Sequence, residues 1–356
     1  MNICPEAIRG QLNPSIPREL VPTSSRQVPG RRKTAQSFGQ RRRPRYYDRC
    51  RRLAGEGALL GGGMTIHILV ATDGSAESRG AVHFGASLTR ALSGRLSLVH
   101  VVHRAEDRGD GESVLRSAQS EAAKVGVEVT TRVEVGDPGE AIVGVRRVIG
   151  ADILVVGTHG RRGMARVLLG SVAESLYKGG ACPVAVVEKF DQPGPFGPLL
   201  VPTDFSEGAD QAVQAAAFLA GKLGVRLMVL HVMAEVLPPK GEKDPKATRR
   251  AAGRLHRNAE TRFQSLTETL GLNLEQVDLS LVSGVDATEI VHRGKEIRAG
   301  FIVMGTRGLT GLPRVLLGSV TDQVLRETPC PVLVVPLGTV RSGWWLGERG
   351  KSARDR

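Results

Sequence analysis

The chain has 356 residues, of which 41% are hydrophobic and only 4% aromatic, and it carries a formal net charge of +13. This length suits two ordinary domains, and cores built from Val, Leu, Ile and Ala favour buried parallel strands. The four cysteines are widely separated and form no CxxC pair, which argues against a zinc knuckle or a redox dithiol. No apolar run reaches the roughly 18 residues of a membrane span, and the basic N-terminus lacks an apolar signal region, so we expect a cytoplasmic protein without a membrane partner.

The positive charge is concentrated at the two ends of the chain. Residues 1–63 carry a net charge of +9 and residues 341–356 one of +3, which leaves +1 for the middle. The middle of the chain is therefore predicted not to bind nucleic acid. Residues 1–63 and 338–356 are basic and show no periodicity, so we predict that both are disordered tails.

Two alternatives stay open for the first tail. Its arginines, with Tyr46 and Tyr47 as stacking groups, would suit an arm that contacts RNA or DNA. Alternatively, the segment is a misplaced translation start, because Met64 stands immediately before the first predicted strand.

From residue 64 onward, short segments rich in Val, Ile and Leu alternate with amphipathic ones. This pattern predicts strands at 67–72, 95–102, 127–135, 152–157 and 184–188, and helices at 76–93, 112–125, 138–149 and 171–179. Alternating strands and helices indicate an α/β fold with a doubly wound parallel sheet. Ligands bind such sheets at the carboxyl ends of the strands.

The same pattern occurs twice. ILVATDGS at 68–75 matches LLVPTDFS at 199–206, and ADILVVGTHG at 151–160 matches AGFIVMGTRG at 299–308. The offset between matching residues grows from 131 to 148 after the second strand, so the second copy has 17 extra residues there. We predict that they form a longer, charged surface helix with a loop before it. The predicted domains are 64–190 and 199–337, with a linker at 191–198.

A glycine loop follows the fourth strand of each copy. Its spacing is G-x2-G-x9-G-S, at Gly157, Gly160, Gly170 and Ser171, and again at Gly305, Gly308, Gly318 and Ser319. Glycines let backbone amides approach phosphate oxygens, and the helix that begins at the last glycine directs its free N–H groups at the anion. Asp73, at the end of the first strand, can accept hydrogen bonds from ribose hydroxyls. Turn-forming glycines are the simpler explanation of one loop, but the repeated long spacing favours phosphate binding.

On these loops, both copies resemble the universal stress protein domain, in its ATP-binding branch, over roughly residues 64–337. The resemblance implies two tandem, Rossmann-like, five-stranded sheets in the order 3-2-1-4-5, whose last strands pair within the chain, and it leaves a homodimer open. It implies a ribose contact at Asp73 and Asp204 and an adenine contact at the backbone of Val101 and Val232. The remaining nucleotide contacts would lie at Val156, Gly157, Gly160, Gly170, Ser171, Val172, Met304, Gly305, Gly308, Gly318, Ser319 and Val320.

The resemblance implies a regulator that binds ATP, with Mg²⁺, and reports energy or stress state to an unidentified protein partner. A slow ATPase or a nucleotidyl-transfer enzyme of the same fold is the alternative. The sequence offers no general base with an orienting partner, no kinase signature and no Walker lysine, so no catalytic residue is assigned. A nucleic-acid-associated protein that uses the N-terminal arm is the third hypothesis.

Other residues are expected to be structural. His100 and His231 are predicted to make local hydrogen bonds rather than to bind metal. Cys182 and Cys330 precede Pro-Val at the last strand of each copy and are expected to be small buried hydrophobic residues, with redox sensing as the alternative.

Overall fold

The computed structural model describes residues 65–158, 172–173, 175–176, 182–188, 190, 196–235, 245–272, 275–306, 317–328 and 330–337. They form two α/β units, which we call copy one (up to residue 188) and copy two (from residue 196). The predicted tails and most of the predicted linker lie outside the described residues.

Copy one follows the predicted alternation of strands and helices. Its elements are β1 (His67–Ala71), α1 (Ala76–Ala91), β2 (Arg95–Val102), α2 (Arg108–Ala123), β3 (Val129–Val135), α3 (Pro138–Ile149), β4 (Ile153–Gly157) and β5 (Val184–Val187). Between β4 and β5, Val172, Ala173, Ser175 and Leu176 are helical, within the predicted helix 171–179.

Copy two repeats this order. Its elements are β6 (Leu199–Pro202), α4 (Glu207–Leu223), β7 (Leu227–Met233), α5 (Pro245–Leu270), β8 (Val277–Ser283), α6 (Asp286–Glu296), β9 (Phe301–Gly305), α7 (Ser319–Glu327) and β10 (Val332–Val335). With 26 residues, α5 is longer than its counterpart α2, which has 16, so the predicted longer helix is confirmed.

One predicted helix boundary is wrong. The sequence places the start of the second helix at 112, but α2 begins at Arg108, after a short 3-10 turn at Ala105–Asp107. Gly109 and Gly111 made this segment read as a loop. Gly111 instead lets the helix lie close to the sheet, because a Cβ atom there would meet side-chain atoms of Val133, His100 and Val102 at 3.0–3.1 Å.

All ten strands belong to one sheet, in the order β3-β2-β1-β4-β5-β10-β9-β6-β7-β8. Every neighbouring pair is parallel except β5 and β10, which are antiparallel, with Leu333 opposite Ala185. Each half has the predicted order 3-2-1-4-5, and the predicted pairing of the last strands within the chain is confirmed. We call this β5–β10 contact the seam.

Helices cover both faces of the sheet. One face packs against α1, α2, α4 and α5, with Phe84, Leu115, Leu219 and Phe263 in its core. The other packs against α3, α6 and α7, with Ile142, Ile290 and Val324 in its core. The strands between them are buried on both sides, which is why they read as continuous apolar runs. Equivalent helices lie on the same face, so the two copies are related by a pseudo-twofold axis normal to the sheet.

Four phenylalanines join the copies beside the seam. Phe84 of α1 contacts Phe190, Phe196 and Phe301 edge to face, with ring centroids 5.3–5.8 Å apart. Phe190 directly precedes the predicted linker, Phe196 lies within it, and Phe301 begins β9. Edge-to-face aromatic pairs are favourable beyond the area that they bury, so this cluster fastens the linker ends to both copies.

Candidate functional site

Each copy has an aspartate just beyond its first strand. The Oδ1 atoms of Asp73 and Asp204 each accept the amide of the serine two residues on, at 3.0 Å. That serine then caps the next helix, since Oγ of Ser75 and of Ser206 accepts an amide of the first turn at 3.2 and 3.3 Å. These linked turns hold the aspartate backbone at the carboxyl edge of the sheet.

A histidine connects the first two strands of each copy. Nδ1 of His100 donates to the backbone oxygen of Thr72 at 2.7 Å, and His231 makes the same bond to Thr203 at 2.7 Å. Because a carbonyl oxygen only accepts, Nδ1 carries the proton in both rings. The predicted local hydrogen bonds are thus confirmed, and they fix the strand backbone that continues into Val101 and Val232.

The fourth strands end in glycine at the same edge. β4 ends at Gly157 beside β1, and β9 ends at Gly305 beside β6. A Cβ atom on Gly305 would lie 2.6 Å from the backbone oxygen of Gly208, so only glycine lets α4 begin this close to the strand. Val156 and Met304, one residue earlier, are 3% and 4% exposed. Their side chains belong to the core, so only their backbone is available to a ligand.

The N-terminus of α7 is joined to the end of β9. The amide of Gly318 donates to the backbone oxygen of Thr306 at 2.8 Å, and Oγ1 of Thr321 donates to that of Gly305 at 3.0 Å. Gly318 occupies the cap position, where no side-chain hydrogen bond closes the helix, whereas serines cap α1 and α4. The amides that follow, from Ser319 and Val320, begin the helix as donors for an anion.

These groups lie on three adjacent strands in copy two. β6 lies between β7 and β9, and its pairing places Pro202 opposite Leu230 and Leu200 opposite Ile302. If the same register continues past the strand ends, Val232 and Thr306 lie opposite Asp204 on either side of it. Since adjacent strands lie about 4.8 Å apart, the row spans about 10 Å. Copy one has the same row at Val101, Asp73 and Thr158.

Not every predicted contact can be placed. Gly160, Gly170, Ser171 and Gly308 lie outside the described residues. Val172 is helical and half-buried. The carboxyl ends of the two copies point to opposite edges of the sheet, because the seam is antiparallel.

Copy two has an aromatic cluster that sequence reasoning missed. Phe205 follows Asp204 and has a φ of 61°, a left-handed backbone that its counterpart Gly74 adopts with a φ of 79°. Its ring lies 4.6 Å from that of His231 and 5.2 Å from that of Phe263, measured between centroids. The Arg262 guanidinium lies 5.5 Å from the centre of the same ring. The signal in the sequence was phenylalanine in place of glycine between the aspartate and the serine that both copies share.

The two described cysteines are poor nucleophiles. Burial raises the pKa of Cys182 to about 11, and burial also raises the pKa of the Cys330 thiol. Both thiols therefore remain protonated at neutral pH, which disfavours the redox alternative. Cys182 is buried as predicted, whereas Cys330 is half-buried.

Two features are absent from the described part of the chain. No helix in it is both long enough and apolar enough to cross a bilayer. Nor does it contain a group of three or more His, Cys, Asp or Glu side chains able to hold a metal ion.

The repeated geometry matches a known family. The sequence profile of the universal stress protein family matches residues 64–188 and 195–336, so the chain belongs to that family. A universal stress protein of Mycobacterium tuberculosis is 28% identical over 300 residues, which cover 75% of this chain and 96% of that protein. One from Thermus aquaticus is 34% identical over 140 residues, covering 39% of this chain and 98% of its own length.

A solved structure shows the same tandem fold. A universal stress protein of Archaeoglobus fulgidus superposes with a TM-score of 0.55 at 24% identity, covering 76% of this chain and 98% of its own. At that identity the likeness concerns the fold alone.

Proposed function

We propose that the protein binds ATP at the carboxyl edge of each copy and acts as a nucleotide-dependent regulator of the stress response. The observation that carries the proposal is the row formed by Val232, Asp204 and the end of β9, with the uncapped N-terminus of α7 beside it. Copy one repeats the described part of this row.

The row matches a nucleotide in order and in length. The backbone of Val101 or Val232 would bind adenine, and the carboxylate of Asp73 or Asp204 would accept from the ribose hydroxyls. Gly305, Gly308, Gly318, Ser319 and Val320 would surround the phosphates, with their counterparts Gly157, Gly160, Gly170, Ser171 and Val172 in copy one. A row of about 10 Å is comparable to the distance from a base to its first phosphates.

The helix end supplies the charge complement. Amide N–H groups at the start of α7 concentrate partial positive charge where the phosphates would lie, and no side chain uses that position as a cap. Mg²⁺ prefers phosphate oxygens and water, so it would enter with the nucleotide rather than through a protein cage.

A regulatory role is favoured over catalysis. The described part of the site offers histidines whose Nδ1 protons are committed to backbone oxygens, and aspartates whose Oδ1 atoms accept serine amides. These bonds fix a binding surface, and none of them orients a base toward a phosphate. ATP would instead stabilise one conformation, which a partner protein reads.

Isothermal titration calorimetry tests the proposal. The full chain should bind ATP with a stoichiometry of about two. Gly318→Leu should lower it to about one, because the new side chain would occupy the phosphate position. Gly318 has φ −69° and ψ 148°, a backbone that any residue adopts, and the nearest described atom to a Cβ there would be the Thr306 oxygen at 3.6 Å.

Gly221→Leu is the matched control. Gly221 lies near the end of α4 remote from the carboxyl edge, and a Cβ atom there has no neighbour within 4 Å. It should keep the wild-type stoichiometry. No heat of binding from the wild-type chain would overturn the proposal, and turnover of ATP at a rate of many per minute would favour the enzymatic alternative instead.

A further inference from the structure

The first half of α5 is strongly basic. Residues 245–257 contain Lys246, Arg249, Arg250, Arg254 and Arg257, with no Asp or Glu. The part of the chain between the two basic ends has a net charge of only +1, so outside this segment it is net negative. The neutral average that argued against nucleic acid thus conceals one concentrated positive segment, which we call the basic arm (245–257).

The basic arm extends past the carboxyl edge of copy two. Phe263 and Arg262 contact Phe205, which itself lies beyond the end of β6. The helix runs from that edge back along the sheet, and the first of its residues described as buried is Ala259. From Lys246 to Arg257 the helix rises about 16 Å, and the described side chains of this segment are exposed or half-buried.

The four arginines of the arm have no ion-pair partner among the described residues. Arg249, Arg250, Arg254 and Arg257 are all exposed. Lys246, Arg249 and Arg250 lie near the N-terminus of α5, where the helix dipole opposes positive charge. Because these charges destabilise their own helix, we infer that they serve to bind a partner.

The composition of the arm favours nucleic acid over a membrane surface as its binding partner. Helical periodicity places Lys246, Arg250, Arg254 and Arg257 on one side of the helix. A membrane-surface helix also needs a broad apolar face, but the arm has only Leu255, which is 42% exposed, besides alanines. Arginine predominates, and its planar fork binds phosphate oxygens in pairs, as nucleic-acid backbones require.

We propose that the basic arm is a docking surface for the phosphodiester backbone of nucleic acid. It acts without base recognition, since the arm presents no Phe, Tyr or Trp side chain and most of its cations lie in a single row. The surface is specific to copy two, because the arm corresponds to the 17-residue insertion. It does not depend on the proposed ATP sites.

Fluorescence anisotropy with a labelled 20-nucleotide single-stranded RNA tests this on the full chain, with single-stranded and duplex DNA of the same sequence as parallel probes. The test variant carries Arg→Gln at positions 249, 250, 254 and 257, which preserves helix propensity. The control variant carries Arg→Gln at 104, 108, 116 and 132, four exposed arginines of copy one. Both lose the same charge, and both keep the basic tails.

The test variant should bind RNA at least about tenfold more weakly at ~0.1 M salt, and its slope of log K against log salt should fall by about 2–3. The control should stay within about twofold of wild type, and Arg→Lys at the four arm positions should restore the salt slope. Equal losses in both variants, or no loss in either, would overturn the proposal. So would a loss confined to vesicles of phosphatidylserine and phosphatidylcholine, which would assign the arm to membranes.

Discussion

The two copies share one backbone but distribute glycine differently. At three equivalent positions the chain has a left-handed φ in both copies, with glycine in only one of them. The pairs, with φ in degrees, are Gly74 (79) and Phe205 (61), Ser93 (50) and Gly224 (65), and Gly150 (65) and Arg298 (50). A left-handed residue other than glycine costs about 1 kcal/mol or more, so each copy carries strain that the other avoids.

This comparison shows that the turns are imposed by the fold and not by local preference. The pairs Ser93/Gly224 and Gly150/Arg298 follow helices, where the chain must turn back to the sheet. The pair Gly74/Phe205 follows the aspartate of the candidate site. Where phenylalanine replaces glycine, the strain is offset by contacts with His231 and Phe263 that copy one cannot make. The copies have therefore diverged at the site edge and on α5, while the strand rows stayed the same.

The prediction with the largest expected effect concerns copy one when it is separated from copy two. In the full chain β5 is buried, with Val184–Val187 at most 2% exposed, because β10 covers its edge. A fragment of residues 64–190 would expose that edge, and we expect it to pair with a second copy of itself. Analytical ultracentrifugation should show a dimer, whereas the full chain closes the seam internally at high effective concentration.

Ala185→Asp in the same fragment is the control. It places a charge at the centre of the seam, opposite the position that Leu333 occupies in the full chain, and should give a monomer. A wild-type fragment that stays monomeric at high concentration, and is as stable as copy one in the full chain, would contradict the pairing idea.

The second prediction concerns Phe205. Phe205→Ala removes the ring contacts and keeps a side chain in the left-handed region, so it should lower the free energy of unfolding by about 3 kcal/mol. Phe205→Gly loses the same contacts but relieves the backbone, and it should be more stable than Phe205→Ala by about 1 kcal/mol. Urea unfolding of both variants measures the difference.

Copy one provides the reciprocal change. Gly74→Ala has no aromatic partners to offset the left-handed backbone, so it should cost about 1 kcal/mol. If Phe205→Gly were no more stable than Phe205→Ala, the backbone at this position would not be strained.

Much of this architecture followed from the sequence. The apolar strands predicted the alternation of strands and helices, and the 17-residue offset predicted a longer α5. The family resemblance implied the strand order and the seam. Asp73 and Asp204 could be placed because they follow strands directly. Phe205, the Thr306–Gly318 hydrogen bond and the projection of α5 could not be predicted, because each depends on contacts between segments far apart in the chain.

The third prediction concerns pH. His67 is 8% exposed, and burial, followed by the charge of Arg95, lowers its pKa, while Asp152 opposes the shift. Nδ1 donates to Ile149 O at 3.2 Å, and Nε2 lies 2.8 Å from Ser97 Oγ. Because the unfolded chain takes up the proton more readily, copy one should lose stability as pH falls below about 6.5, by up to about 1.4 kcal/mol per unit.

The equivalent position in copy two is Pro198, which cannot titrate. Hydrogen exchange at pH 7 and pH 5 should therefore show copy one opening more easily at the lower pH, relative to copy two. His67→Gln keeps polar partners for Ser97 and should remove most of the difference. If this variant kept the pH dependence, the effect would arise from titratable groups other than His67.

The smallest effect concerns the start of α3 and α6. Asp137 caps α3, with Oδ1 accepting the Glu140 amide at 3.1 Å, whereas Val285 stands at the cap of α6, is 65% exposed and makes no cap bond. Val285→Ser should stabilise copy two by about 1 kcal/mol, and Asp137→Ala should destabilise copy one by a similar amount. Serine is the better test than aspartate, because Asp286 and Glu289 already place two carboxylates in that first turn. A third would repel them and hide the gain from the hydrogen bond.

Val285→Ala is the control, because it adds no acceptor, and it should leave the thermal midpoint near its wild-type value. A gain from alanine equal to that from serine would show that removing valine, rather than adding a cap, stabilises the helix.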